Sequence, residues 1–507
     1  MLAGSAAAPG HALNSGGVHM GPHGHGVNRR TLLKVGIAGA VGSQLALIDW
    51  LALAPERLAL AAGPPPDTQF DIGSFIAPAF TVNGVLVRFG PVFTYFVPAR
   101  LTRNPTRADQ TVLANALNRI EQAYAFSPSG IFTFVSYGVP YFNRLPGGMN
   151  GSLVTSRMPK TSGSFFPVLQ EAVASPTDVV AGNGITKQTF NVPVRIEAND
   201  LLFTFRSDTR ANLDDVLSWL KGSNRLGGAA VASPAFNGLV SFQATRFMFQ
   251  QNGLPRQVAN ANNLPFAGRI NPQSPMWMGF ADQQVAGSGP AAICTFAGNA
   301  SARLTDAQPG DYFDNGAIQH LSHDILDLAQ FYALPNEDPP AGETFEERVQ
   351  YMFRSNPFPS HGNADQFTDG GGPAFLENTF QGVNDAFFNA TGQTEEGAPR
   401  LGHESCLQRS SRANDGTPIH IRMDGTGFDS MDVPGGTNQP KLQFTVFVPS
   451  ADFFRVMRVN QASLDYQQAF AVPEDDNGLE RFMTATRRQN FLIPPRRHRA
   501  FPLLELT

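Results

Sequence analysis

Cysteine is nearly absent from this chain: its 507 residues hold two, Cys294 and Cys406. Two thiols exclude a disulfide-built scaffold, and they exclude a cysteine-rich zinc or iron-sulfur site, which takes about four close ligands. They could form one bridge, which sequence alone does not decide. Long hydrophobic runs are missing too. The most apolar stretch near the start, residues 35–48, falls short of the roughly 20 residues that a membrane-spanning helix needs, so it reads as a signal and not as an anchor. Positive charge is in deficit, with 37 Lys and Arg against 42 Asp and Glu. Nucleic acid and anionic lipid are bound largely through Lys and Arg, so neither is expected as the main partner. Tryptophan (3) and tyrosine (8) are few beside 41 phenylalanines. That excess supplies apolar volume with few polar handles, which suits a broad dry core or a flat apolar ligand held inside.

What is present begins with Asn28-Arg29-Arg30-Thr31-Leu32-Leu33-Lys34. Paired arginines directly ahead of an apolar run are the address read by the twin-arginine export route. Ala59-Leu60-Ala61 then offers a cleavage site before Ala62. The twin-arginine translocase is therefore an expected partner, and the expected destination is extracellular, periplasmic or at the cell envelope. That route carries proteins already folded, which fits a protein that takes up a cofactor inside the cell. Residues 1–28, with His11, His19, His23 and His25 among Gly, Ala and Pro, read as a disordered leader. Removing 1–61 takes away four basic and two acidic side chains and leaves a net charge of about −7. The remainder is long enough for two ordinary domains with their own cores.

Periodicity places the elements. From Asp109, the spacing of Val112, Leu113, Ala116, Leu117 and Ile120 predicts an amphipathic helix, and 131–137, bounded by Gly130 and Gly138, predicts a strand. Leu201-Leu202-Phe203-Thr204-Phe205 predicts another, followed by a helix with Leu213, Val216, Leu217 and Leu220 on one face and Gly222 as its stop. The order returns at Leu442-Gln443-Phe444-Thr445-Val446, with Ser450 and Asp452 placed to cap a helix carrying Phe453, Val456 and Met457. Both strands share L-x-F-T, 241 residues apart, a hint of two copies of one α+β unit. Residues 316–321 read as a strand that opens a passage into a helix through Ile325, Leu328 and Phe331. Thr344 and Glu347 form a capping box for a further helix. Residues 355–418 then turn loop-like, as an insertion that borders a site or is disordered.

Two local motifs could carry chemistry. Met278-Gly279-Phe280-Ala281-Asp282-Gln283 places a carboxylate in a glycine-led turn among apolar residues, where partial burial would raise its pKa and let it exchange protons near neutrality. Ile419-His420-Ile421-Arg422 holds an imidazole between two isoleucines, shielded from water and suited to act as an axial ligand of haem iron. Taken singly, Asp282 also reads as a turn residue and His420 as a satisfied core histidine. His320 and His323, three apart, could suit a metal, although no third ligand sits at telling spacing. His361 and His403 are alternative axial ligands. The basic run Pro494-Pro495-Arg496-Arg497-His498-Arg499 could reach haem propionates or lie solvated on the surface, and Trp219 and Trp277 could pass electrons or simply pack.

Together and in this order, 138 residues apart, the two motifs resemble the dye-decolorizing peroxidase superfamily, which has a distal Asp in a G-x-x-D-G turn and a later proximal His within H-x-R. The resemblance extends diffusely over residues 120–460, through 200–208, 321–328 and 442–447. It implies an α+β fold of two ferredoxin-like modules with a haem-sized cleft. The modules fall at 62–270 and 271–507, the second carrying the insertion near 355–418. It further implies haem b held by His420, Asp282 as distal acid-base, and Arg422 toward a propionate or in place of the distal Arg. The expected reaction oxidises electron-rich organic compounds with hydrogen peroxide, in a protein that could be a homo-oligomer. Two departures stand out: Gln283 replaces the second glycine of the turn, and 435–441 holds no distal arginine, Lys441 being its only cation. A flexible point charge replaces a planar guanidinium poorly. The departure favours an alternative, a secreted binding or structural protein of the same fold without peroxidase activity.

Overall fold

The computed structural model describes residues 63–333 and 420–507, apart from 77–79, 83–84, 88–89, 237, 271, 273, 279–290, 299–303, 470 and 473–476. The first half is built from β1 (Phe93–Leu101), α1 (Arg107–Ala123), β2 (Phe132–Gly138), β3 (Leu201–Ser207), α2 (Arg210–Leu220) and β4 (Arg246–Phe249). Helix α1 begins where Thr106 and Asp109 cap each other. The Thr106 hydroxyl accepts from the Asp109 N–H, the Asp109 carboxylate accepts from the Thr106 N–H at 2.8 Å, and Arg103 clamps that carboxylate with both terminal nitrogens. Leu113, Ala116, Leu117 and Ile120 are buried as the periodicity predicts. In α2 the buried face is Leu213, Val216, Trp219 and Leu220, and Gly222 follows at φ 109°, a conformation that glycine adopts without strain. The Trp219 indole N–H donates to the carbonyls of Val231 and Ala232, so this tryptophan is a core anchor.

The second half contributes β5 (Ala317–Leu326), β6 (Gly425–Asp429), β7 (Gln439–Val448), α3 (Ala451–Ala462) and β8 (Met483–Ile493). Ser450 caps α3, its hydroxyl accepting from the Phe453 N–H at 3.1 Å. The buried face of α3 corrects the expectation: it is Ala451, Phe454, Met457, Arg458 and Ala462, while Val456 is exposed. The strand expected to end at 321 runs on to Leu326, so Ile325 lies in a strand and only Leu328–Phe331 is helical. Every residue of β5 is buried, polar ones included, which hides the alternation that normally marks a strand. The Thr344–Glu347 capping box and the 355–418 insertion lie outside the described residues. Among the described residues no helix is long and apolar enough to cross a membrane.

One large antiparallel sheet joins the two halves. Its order is β4-β6-β7-β5-β8-β2-β3-β1, and β1 pairs back onto β4, so the eight strands close into a ring. Within each half the strands lie in the same order, fourth, first, third, second, and the two L-x-F-T segments, β3 and β7, both hold third place. Phe96, Phe134, Leu202, Met248, Leu321, Phe447 and Phe491, drawn from seven strands, pack together inside the ring. The alternate residues face outward, where Val97, Val135 and Phe203 meet the helices of the first half, and Ile318, Val446 and Leu492 join Phe454 and Met457 in the same core. Closure leaves the ring without free sheet edges along these eight strands.

Candidate functional site

Alternation along the second-half strands carries polar groups to the outer face, beneath α3. Ser322 of β5 stands opposite Phe444 of β7 on one side and Arg488 of β8 on the other, and Asp324 follows two residues on, opposite Leu442. These five side chains wall a cavity of about 90 Å³. Arg458 and Gln461 of α3 close it from above, and Arg422, Asp424 and Thr426 flank it. The rest of the wall is apolar: Met276, Trp277, Met278, Leu326, Leu479 and Met483. Trp277 is fixed by an indole N–H bond to the Gly427 carbonyl at 2.9 Å, and its own carbonyl accepts from the Tyr332 hydroxyl at 2.8 Å.

The charges around the cavity are mostly paired. Arg488 donates Nε and Nη2 to the two oxygens of Asp178 at 2.6 and 2.8 Å, with both side chains buried. Burial alone would raise the Asp178 carboxyl, but the Arg488 guanidinium outweighs it and holds the group below the ordinary range. Burial works against the Arg488 charge as well, and Asp178 more than restores it. Arg458 pairs with Glu480 at 3.3 Å and donates to the Ser175 hydroxyl at 2.9 Å. Burial would likewise raise Glu480, yet Arg458 and Lys187 hold it low. Asp324 is different. It is 3 % exposed, accepts one hydrogen bond, from the Ser322 hydroxyl at 3.0 Å, and has no ion-pair partner. Burial raises its carboxyl, with Arg488 and the Ser322 hydroxyl only partly countering.

Of the residues singled out by sequence, Arg422 lies on the cavity wall. His420 is 5 % exposed and directly precedes the short strand Ile421–Arg422, which pairs with β7 at Phe447 and Val446. His420 is not among the residues lining the cavity, whereas Arg422, two residues on, is. Met278, which leads toward the Asp282 turn, also lines it. Asp282, Gln283, His361, His403 and Cys406 lie outside the described residues. Cys294 is buried, its thiol held against the Ile421 backbone.

Two expectations are corrected. His320 and His323 sit in β5, where residues three apart point to opposite faces. His320 stacks on Phe454 of α3 and bonds Asn490, while His323 faces the ring interior, bonds Thr486 and approaches Asp429. They cannot share a metal, and among the described residues no group of three or more His, Cys, Asp and Glu could hold one. The basic run near the C-terminus is structural. Arg496 and Arg499 both clamp Glu121 of α1, and Arg497 pairs with Asp314 at 2.6 Å. Lys441 faces the ring interior, donating to the Met431 carbonyl at 2.6 Å beside Asp429, with burial pushing its ammonium down to about 8. It points away from the cavity.

Haem, the group implied by the His420 pattern, finds part of its chemistry among the described residues, a buried imidazole with an arginine two residues away, but that imidazole does not line the cavity walled by Trp277 and Phe444. The enclosed volume of about 90 Å³ is well below the roughly 300–1,000 Å³ of cofactor pockets. Sequence reasoning missed Ser322, Asp324, Arg458 and Arg488. The signal for the first two was a pair of polar residues at i and i+2 inside an apolar strand. The arginines gave none, because their carboxylate partners are 310 and 22 residues away.

These features define a mixed helix-and-sheet protein with a large antiparallel sheet and a part-polar cavity against one face of it. A family profile described as "Family of unknown function (DUF7405)" matches residues 161–495, and the chain belongs to that family. No curated protein matches it. Among solved structures it is similar to a DyP-type peroxidase from Cellulomonas bogoriensis (14% identity, 87% of this chain and 99% of that one, TM-score 0.46). It is also similar to a dye-decolorizing peroxidase from Bacteroides thetaiotaomicron (12% identity, 83% and 96%, TM-score 0.42). A third is a DypB variant from Rhodococcus jostii in complex with heme (12% identity, 81% and 95%, TM-score 0.42).

Proposed function

We propose that the protein is an exported haem peroxidase of the dye-decolorizing type, using hydrogen peroxide to oxidise electron-rich organic compounds. In this reading residues 62–270 and 271–507 are two ferredoxin-like modules, and the twin-arginine segment directs the folded protein out of the cytoplasm. The observation that carries the reading is the presence of Arg422 on the cavity wall two residues from the buried His420, in a sequence whose motifs resemble that superfamily. The strand order repeated in the two halves supports the two-module description.

Haem, when bound, would supply the redox chemistry with peroxide. His420 would hold its iron, kept from water by its burial. Arg422 would pair with a propionate, for which a planar guanidinium is well matched. Asp282 would serve as the acid-base group, moving a proton between the two oxygens of peroxide. Replacing Asp282 by Asn is expected to leave the haem spectrum in place and to slow the peroxide-dependent spectral change by about 10²-fold or more. Unchanged peroxide kinetics remove Asp282 from the mechanism.

The cavity volume of about 90 Å³ and the inward placement of Lys441 favour a second reading, a secreted binding or structural protein of this fold without peroxidase activity. Protein purified with haem supplied separates the two: the second reading expects it colourless.

A further inference from the structure

A second, smaller cavity of about 50 Å³ is lined by residues 170–176 and by α3. Arg458 and Arg488 line both cavities, whereas His320 of β5 lines only this one. His320 is 1 % exposed, with its ring stacked on Phe454 at 4.0 Å. Its tautomer is fixed by Asn490. The Asn490 side-chain N–H donates to the Gln170 carbonyl at 3.1 Å, which leaves Asn490 Oδ1 to accept from His320 Nδ1 at 2.7 Å. Burial, and then the charge of Arg488, hold the imidazole well below its ordinary range, so it is neutral and Nε2 carries a lone pair. That buried Nε2 has no hydrogen-bond partner among the described residues. Neither has Arg458 Nε, an N–H donor, although both terminal nitrogens of Arg458 are bonded, to Gln461 and to Ser175.

An unpaired buried polar group costs about 1–3 kcal/mol, so one acceptor and one donor on residues of a single cavity mark a ligand that offers their complements. The charges nearby are already matched, Arg458 with Glu480, Arg488 with Asp178 and Arg455 with Asp452. The complement is therefore a neutral group that donates once and accepts once, a hydroxyl. About 50 Å³ is about a third of the roughly 150 Å³ that accepts benzene, which leaves space for an oxygen and about one carbon. The way out is apolar. Val173 and Val459 line the cavity yet are 53 % and 44 % exposed, and the exposed Val456 lies one turn before Val459 on the same outer face of α3. We propose that this cavity takes the head of an unbranched primary alcohol, its hydroxyl donating to His320 Nε2 and accepting from Arg458 Nε, with the chain laid outside over Val173, Val459 and Val456. The site goes beyond the peroxidase reading: it needs no haem and uses neither His420, Arg422 nor Asp282.

The test is saturation-transfer NMR of the full-length protein with pentan-1-ol and, separately, with 1-fluoropentane, whose fluorine is close to a hydroxyl in size but cannot donate. Saturable binding of pentanol is expected, with the fluoroalkane at least about 5-fold weaker, the loss of one hydrogen bond between neutral groups. His320→Leu is expected to abolish that difference. Val459→Ser, at an exposed position, is expected to weaken both probes by about 2-fold or more, because the chain loses apolar contact. An absence of saturable pentanol binding overturns the proposal, as does equal affinity for the two probes. Pentanoate binding more tightly than pentanol would assign the cavity to an anionic head and overturn it too. So would a His320→Leu protein that folds and still prefers the alcohol, or a Val459→Ser protein that binds both probes as the wild type does. If His320→Leu fails to fold, the comparison of the probes on wild-type protein decides.

Discussion

Removing Asp178 is the sharpest structural perturbation that the cavity offers. Its carboxylate holds Arg488 through two bonds of 2.6 and 2.8 Å, with the side chains 4 % and 5 % exposed, and it also accepts from the Ser175 N–H at 2.7 Å. Asp178→Ala leaves a guanidinium buried beside the cavity without its counter-charge. Breaking one partner of a buried pair costs about 3–5 kcal/mol, because the survivor stays desolvated and unpaired. At a urea dependence of about 3 kcal/mol per molar, the unfolding midpoint should fall by about 1 M or more. The double variant Asp178→Ala with Arg488→Met removes the stranded charge, and most of the loss should be recovered. Equilibrium urea unfolding followed by fluorescence and by circular dichroism reads both. A single variant that loses less than about 1 kcal/mol, or a double variant less stable than the single, refutes the claim that this pair is buried and mutually dependent. The depressed Asp178 carboxyl also fixes the sign with pH: the contribution is full above the ordinary Asp range near 3.9 and fades as pH falls through the lower folded value.

Asp324 should behave in the opposite sense. Its folded carboxyl is raised by burial, so its favourable contribution is present below the ordinary value of about 3.9 and is lost as pH rises through the folded value. Asp324→Asn should therefore gain stability relative to wild type between pH 4 and pH 7, and a stability difference that is the same at both pH values contradicts the assignment. Thr106→Ala removes the cap of α1 and frees its partner Asp109. A loss of about 1 kcal/mol in urea unfolding is expected, and no loss would mean that the cap is redundant with the Arg103 clamp.

The helices were legible in the sequence because each buries one face, and β2 and β3, buried along their whole length, because each is a short apolar run. Leu113 to Ile120 in α1 and Leu213 to Leu220 in α2 show the 3.6-residue spacing plainly. The L-x-F-T repeat pointed to a duplicated unit, and the two segments do hold equivalent places in the ring. Strands β5 and β8 were harder. β5 is buried on both faces, and its polar residues divide between the ring interior and the cavity, so no simple period appears. In β8, Arg487 and Arg488 point to opposite faces, and their partners Glu197, Asp432 and Asp178 are distant in the chain. A run of charge inside a buried strand looks like a surface until those partners are placed. His420 and Arg422 were singled out by a motif, whereas Asp324 was passed over as part of a strand-to-helix junction.

The central claim is tested most directly by the visible absorption spectrum of the full-length protein and of His420→Ala, each purified with haem supplied. The account predicts a strong Soret band for the wild type that changes on adding hydrogen peroxide, and its loss in His420→Ala with far-ultraviolet circular dichroism unchanged. A colourless wild-type protein, or a His420→Ala variant that keeps its full Soret absorbance, would contradict it.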